Sequence, residues 1–402
     1  MMRQLAVVLL ILQAIHGALT DDDFIKQGGL PVVCYYSGWA TTRASPMNYN
    51  VEDIPGDLCT HVILAYVGAD GEQNDIKSII PSYANNTRRY KEFANIKNKF
   101  LFVKAMVSIG GWEHGGGSLS KVAMNQQTRR AFAKNVVKFL REHNLDGVDI
   151  DWRFPANRDR GGSPDTDERN YVELLKELSM IFRGKGLVLT ATVPITPFYL
   201  NNGYDVAEMV KHVDWLNVLG FDLRGRWNGR TGVHSPLYGK ASDKDDVVGV
   251  NVEDGIKRLL KLGAPQKKLV LGIPFFGRSF VLADKNQHGI DAPARPWAAI
   301  PGPYIGSGEI LAYYEICTNI ADGIATRVFD NETKCPYAYY DNQWVGYEDE
   351  ESIGYKMDFV IREGLAGVMV FNNDMDDFQS FCGTSNPLLK KIYEKLAEAD
   401  DE

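Results

Sequence analysis

The chain lacks the usual marks of several protein classes. It has no excess of positive charge: 44 Lys and Arg stand against 52 Asp and Glu, a net charge of −8. A nucleic-acid footprint needs a basic face, so no nucleic acid is expected as a partner. Nor is attraction to anionic lipid expected. Beyond the first twenty positions no apolar run is long enough to span a bilayer, so no membrane partner is expected. There is no CxxC pair and no HExxH, and no metal or cofactor is implied. Cysteine is scarce and odd in number, at five. The hydrophobic fraction of 45% against 24% charged excludes disorder and collagen-like structure.

Residues 1–20 hold a cationic start at Arg3, a short apolar core from Leu5 to Leu12, and small residues Gly17 and Ala18. That is the pattern of a secretory signal peptide, and it predicts an extracellular protein. In an oxidising compartment some of Cys34, Cys59, Cys317, Cys335 and Cys382 should pair, and at least one must lack an intramolecular partner. The sequons at Asn85 and Asn331 are then candidate glycosylation sites.

Eight apolar, β-branched runs lie at 31–36, 61–67, 101–107, 147–151, 187–193, 215–219, 269–276 and 367–371. Several are nearly continuous, as in parallel strands covered by helices. Between them, Phe132, Val136, Phe139 and Leu140 recur at helical spacing, as do Tyr171, Leu174, Leu175, Leu178 and Phe182. Strand and helix alternating in this way predict an α/β fold, a (β/α)₈ TIM barrel. The stretch 278–345, rich in Gly, Pro and Tyr, reads as a small α+β subdomain inserted between strands seven and eight. The barrel is expected over 21–277 and 346–392, and 393–402 as a short, solvated acidic tail.

The most informative segment is Asp146-Gly147-Val148-Asp149-Ile150-Asp151-Trp152-Arg153-Phe154-Pro155. Side chains alternate along a strand, so Asp149, Asp151 and Arg153 project to one side. The strand would end with its charges at the C-terminal mouth, where barrel active sites lie. A purely structural Asp–Arg network is the other reading of these three residues.

This block resembles the D-G-x-D-x-D-W-E signature of family-18 glycoside hydrolases, the chitinases and chitinase-like proteins. The resemblance extends over nearly the whole chain after residue 20. It includes Val33-Cys34-Tyr35-Tyr36 with Trp39, Ser108-Ile109-Gly110-Gly111-Trp112, Ser235-Pro236-Leu237-Tyr238, Phe276-Gly277-Arg278, and Asp376-Asp377-Phe378 with Cys382. The loop from Pro155-Ala156-Asn157-Arg158 to Gly161-Gly162-Ser163-Pro164 is similar to arthropod chitinases in particular. The resemblance implies a (β/α)₈ barrel with an α+β insertion. It also implies disulfides Cys34–Cys59 and Cys317–Cys382, leaving Cys335 over.

In active members the signature ends in Glu, the general acid, while the substrate's own N-acetyl group is the nucleophile. Here that position holds Arg153. A guanidinium with a pKa above ~12 cannot donate a proton near neutral pH. Phe221 stands where the family has a Tyr that steadies the acetamido carbonyl. Phe276 also stands where Tyr is usual, and Phe371 where a Trp floors the central subsite. The resemblance therefore implies a degenerate catalytic site at Asp149, Asp151, Arg153 and Phe221. It leaves a sugar groove built from Tyr35, Trp39, Trp112, Asp222, Trp227, Arg278 and Phe371. Lectin-like binding of chitin or N-acetylglucosamine-containing glycans is the expected function. Two alternatives stand beside it: a hydrolase with a replacement acid such as Glu113, and a signalling or structural protein that binds no sugar.

Overall fold

The computed structural model describes residues 29–84 and 86–400. The expected leader, residues 1–20, and Asn85 lie outside them. Fifteen strands are present among the described residues. The first is β1 (Val32–Ser37), followed by β2 (His61–Asp70), β3 (Asp75–Ser78), β4 (Lys104–Gly110) and β5 (Gly147–Asp151). Next come β6 (Val188–Pro194), β7 (Trp215–Leu219) and β8 (Leu269–Pro274). The second group is β9 (Phe276–Leu282), β10 (Ala294–Arg295), β11 (Ile310–Ala312), β12 (Thr326–Asp330), β13 (Cys335–Tyr340) and β14 (Gln343–Gly346). The last is β15 (Gly367–Phe371).

Eight parallel strands run in the order β1-β15-β8-β7-β6-β5-β4-β2, and β1 also pairs with β2. The sheet is thus a closed (β/α)₈ barrel, with β3 added antiparallel to the long β2. Closure leaves no free edge. The strands are buried on both sides, which explains their near-continuous apolar runs. Phe132, Val136 and Leu140 line the buried face of helix Gln126–Glu142, capped by the Asn125 side chain, which accepts from Thr128 N at 3.0 Å.

Between β8 and β15, the inserted α+β unit forms an antiparallel sheet ordered β10-β9-β14-β13-β12, with β11 on β9 and helix Tyr313–Ala321 against it. It begins two residues before the expected boundary. Phe275 N still bonds to Phe371 O of the barrel at 2.8 Å, whereas Phe276 already pairs with Ala312. The expected tail is also corrected: helix Pro387–Asp400 continues into it as far as Asp400. Leu388, Leu389, Ile392 and Leu396 recur at helical spacing and pack on the core. Lys395 bridges to Asp358 at 2.9 Å and to Glu398 at 2.6 Å.

Cys34–Cys59 and Cys317–Cys382 are disulfides, and Cys335 is free and buried. The second closes a separation of 65 residues and ties the insertion's helix to the chain beyond β15. Replacing Cys317 and Cys382 together by Ser is expected to lower unfolding stability by about 2–5 kcal/mol. Denaturant titration checks this. Thiol titration of the unreduced, denatured protein should find one thiol.

Candidate functional site

The C-terminal ends of the strands frame the site. Asp149 and Asp151 point inward from β5, and both are fully buried. Asp149 accepts five hydrogen bonds: from Tyr35 OH (2.8 Å), Ser108 Oγ (2.8 Å), Thr190 Oγ1 (2.8 Å), Thr192 Oγ1 (3.0 Å) and Asn217 Nδ2 (3.0 Å). These donors come from β1, β4, β6 and β7. Burial and the nearby Asp151 charge still lift its carboxyl above the ordinary aspartate value, despite the hydroxyl donors.

Two residues on, Arg153 grips Asp151 with both arms of its fork. Nε lies 2.7 Å from Oδ1 and Nη2 2.8 Å from Oδ2. Nη2 also lies 3.5 Å from Tyr66 OH. Arg153 is only 8% exposed. Burial works against its charge, but Asp151, Tyr66 and Asp222 together outweigh burial and raise the guanidinium pKa further. Gly110 and Gly111 permit this packing. Gly110 has φ 118°, and a Cβ there would sit 2.2 Å from Asp151 O; one on Gly111 would meet the Tyr66 ring at 2.8 Å.

Asp222 does not join Arg153. Its Oδ1 accepts from Arg278 Nε at 2.8 Å, and its backbone N–H donates to His234 Nδ1 at 3.4 Å. Burial opposes its ionisation, yet Arg278 and His234 hold its carboxyl well below the usual range. Arg278 belongs to β9, so the inserted unit supplies one wall of the mouth.

Phe221, Phe276 and Phe371 form one apolar triad. Phe221 stacks on Phe371 (centroids 5.6 Å, 26° between planes) and meets Phe276 edge-on at 5.9 Å. Tyr35 packs on Phe371 at 5.5 Å, but it is buried and its hydroxyl is committed to Asp149, so it supports the floor from below. Trp39, Trp112 and Trp227 are 40%, 51% and 60% exposed. Large indole faces left open to solvent are available to stack on a ligand. Each is held from one side. Trp39 stacks on Tyr66 at 6.3 Å, Arg160 lies over Trp112 at 4.2 Å, and Arg278 lies over Trp227 at 5.6 Å.

Glu113 is exposed on the loop after β4. Asn331 is exposed in the turn between β12 and β13. Among the described residues, one cluster could offer metal ligands, Cys317, Asp377 and Cys382. Its sulfurs are bonded to each other, and Asp377 accepts from Phe381 N and Cys382 N, so it offers no free ligand set. No described helix is long and apolar enough to cross a membrane.

Tyr66, Ser108, Thr190, Thr192 and His234 were not foreseen as site residues. The Thr190-Ala191-Thr192 alternation was a usable signal, since hydroxyls at period two in a buried strand face one interior partner. His234 carries no comparable signal.

This barrel, its insertion and the carboxylate-bearing β5 define a glycoside-hydrolase-type scaffold. Residues 31–376 match the model for glycosyl hydrolases family 18, and the chain belongs to that family. It is 39% identical over 373 residues to the endochitinase of Manduca sexta, covering 91% of this chain and 67% of that protein. It is 33% identical to chitotriosidase-1 of Mus musculus, covering 91% and 78%. The Group IV chitinase of Ostrinia furnacalis, solved with allosamidin, superposes with a TM-score of 0.88 at 33% identity, covering 92% of this chain and 99% of that one. Human YKL-39, described as a pseudo-chitinase with retained chitooligosaccharide binding, superposes at 0.83 and 30% identity, covering 92% and 100%.

Two predictions follow from the charge pairs. Asp151→Asn strands the buried Arg153 charge and is expected to cost about 3–5 kcal/mol, read by urea denaturation. Arg278 depresses Asp222, so their pairing stabilises the fold above the unfolded aspartate pKa of ~3.9 and is lost as pH falls through the lower folded value. The stability gap between wild type and Arg278→Gln should therefore be flat at neutral pH. It should close progressively below about pH 4.

Proposed function

We propose that this is a secreted, catalytically inactive chitinase-like protein that binds chitin or other N-acetylglucosamine-containing glycans in the barrel groove. The observation that carries the reading is the two-pronged Arg153–Asp151 pair at the barrel mouth. Arg153 occupies the position that the family signature gives to the proton-donating Glu. A permanently charged guanidinium has no proton to give near neutral pH, and general acid catalysis is worth roughly 10²–10⁴-fold. A fixed positive charge also opposes an oxocarbenium-like transition state. Asp151 is occupied by Arg153 and is not available as a substitute acid. Phe221 offers no hydroxyl to steady an acetamido group, and its ring is packed into the Phe triad.

Binding is a separate matter from turnover. Three exposed Trp rings, a Phe floor and the Asp222–Arg278 pair give the stacking faces and few fixed polar groups that sugar recognition uses. A human relative described as a pseudo-chitinase retains oligosaccharide binding, which supports the same division here. The leader-like residues 1–20 and the two disulfides support secretion. Asn331, exposed in its turn, is the glycosylation site that the described residues favour.

The test pairs chito-oligosaccharide hydrolysis with calorimetric binding. Wild type is expected to bind saturably without turnover. Trp39→Ala should weaken binding about three- to tenfold through loss of one stacking face. Arg153→Glu alone should remain near background, and Arg153→Glu with Phe221→Tyr should show the first measurable hydrolysis. Turnover by the unmodified protein would overturn the inactive reading, and absence of binding would overturn the lectin reading.

A further inference from the structure

A second cleft opens at the same end of the barrel, outside the groove. It lies between the loop after β5 (155–164) and helix Pro197–Gly203 after β6, with a volume of about 390 Å³. That is within the range of small-molecule sites. Its lining includes Asn157, Phe198, Tyr199 and Asn202, with Pro155 and Pro164 as walls.

We infer that this cleft is an accessory saccharide site that takes the continuation of a neutral, N-acetylated glycan chain leaving the groove; the inference rests on the groove reading above. An unbroken aromatic path carries it. Trp112, at the groove edge, meets Phe154 at 6.3 Å. Phe154 stacks on Tyr199 at 3.8 Å with 13° between planes. Tyr199 meets Phe198 edge-on at 5.2 Å. Phe154 is buried, Tyr199 half-buried and Phe198 67% exposed, so the path climbs from the floor to an open ring face. Phe198 thus leaves an open ring face beside the cleft, where a sugar ring could stack.

The cleft wall is built in advance. Asp167, fully buried, accepts from Ala156 N (3.3 Å), Ser163 N (2.5 Å) and Ser120 Oγ (2.7 Å), and so clamps both ends of the loop. Asn157 O takes Arg160 N at 3.1 Å and Gly162 N at 2.8 Å, closing the loop on itself. A site held this way pays little ordering entropy on binding.

Its chemistry selects the ligand class. Arg158 and Asp159 cancel in charge, which gives an anionic ligand no advantage. Asn202 Nδ2 donates to Phe198 O at 2.6 Å, leaving its carbonyl oxygen for a hydroxyl or acetamido N–H. Ring faces beside amides are suited to the apolar face and polar edge of a pyranose.

The experiment measures binding of chitotriose and chitohexaose to wild type, Phe198→Ala and Phe198→Tyr. Phe198 is exposed, so both variants should fold, which circular dichroism checks. Chitohexaose is expected to bind wild type more tightly than chitotriose. Phe198→Ala should weaken chitohexaose by about three- to tenfold while leaving chitotriose unchanged, and Phe198→Tyr should restore it. A length preference that survives Phe198→Ala intact overturns the accessory site and leaves the groove standing. Equal weakening of both sugars also overturns it, because the effect would then belong to the groove. Wild type binding neither sugar overturns the groove reading and this one with it.

Discussion

A carboxylate sealed inside a closed barrel must be met on every side or it will not stay there. Asp149 is that carboxylate, and the barrel interior is arranged around it. Tyr35, Ser108, Thr190, Thr192 and Asn217 reach it from four other strands, so its two oxygens tie five of the eight staves together. Each donor must stand on an inward position at the right height, which pins the register of β1, β4, β6 and β7 relative to β5. An apolar barrel core would tolerate small shifts. This one would leave part of a buried carboxylate's hydrogen-bonding capacity unsatisfied for each donor lost. The rigidity of the mouth begins at this level.

One layer above, the same strand direction delivers Asp151 and then Arg153. Since β5 is locked by Asp149, Arg153 has little freedom to leave the groove centre, and its fork closes on Asp151. The pair neutralises charge in a place where ionised groups would otherwise be costly. It also keeps Asp222 out of the central network. Asp222 turns instead to Arg278, and through it the inserted unit is fastened to the barrel mouth. Two ion pairs of separate ownership therefore divide the site. One closes the centre and the other fixes the inserted wall, whose Arg278 lies over Trp227.

The barrel was legible because its strands are buried on both faces and read as unbroken apolar runs. Where polar residues enter a strand the reading slipped. The run 101–107 was placed three residues early at both ends, since Ser108 and Gly110 look like loop, yet both lie in β4. Ser108 is there to serve Asp149, a reason invisible to hydropathy. Likewise 393–402 reads as an acidic tail because charge dominates it. Leu396, at helical spacing from Leu389 and Ile392, draws the helix on to Asp400. The charged block on β5 was legible from period two alone. Tyr66, inside β2, and His234, in a loop, were not, because single residues acquire such roles only when distant segments meet.

The three Phe residues form one continuous apolar floor at the barrel mouth. Phe221, Phe276 and Phe371 pack against each other and onto Tyr35 with ordinary aromatic geometry. A buried hydroxyl at Phe221 or Phe276 would have to find a partner in this apolar layer or bear the desolvation cost. Where no such partner is at hand, the apolar ring is the less costly occupant. That physical logic accounts for why the floor of the mouth is well packed and continuous, while the charges beside it are closed on each other as the Arg153–Asp151 pair.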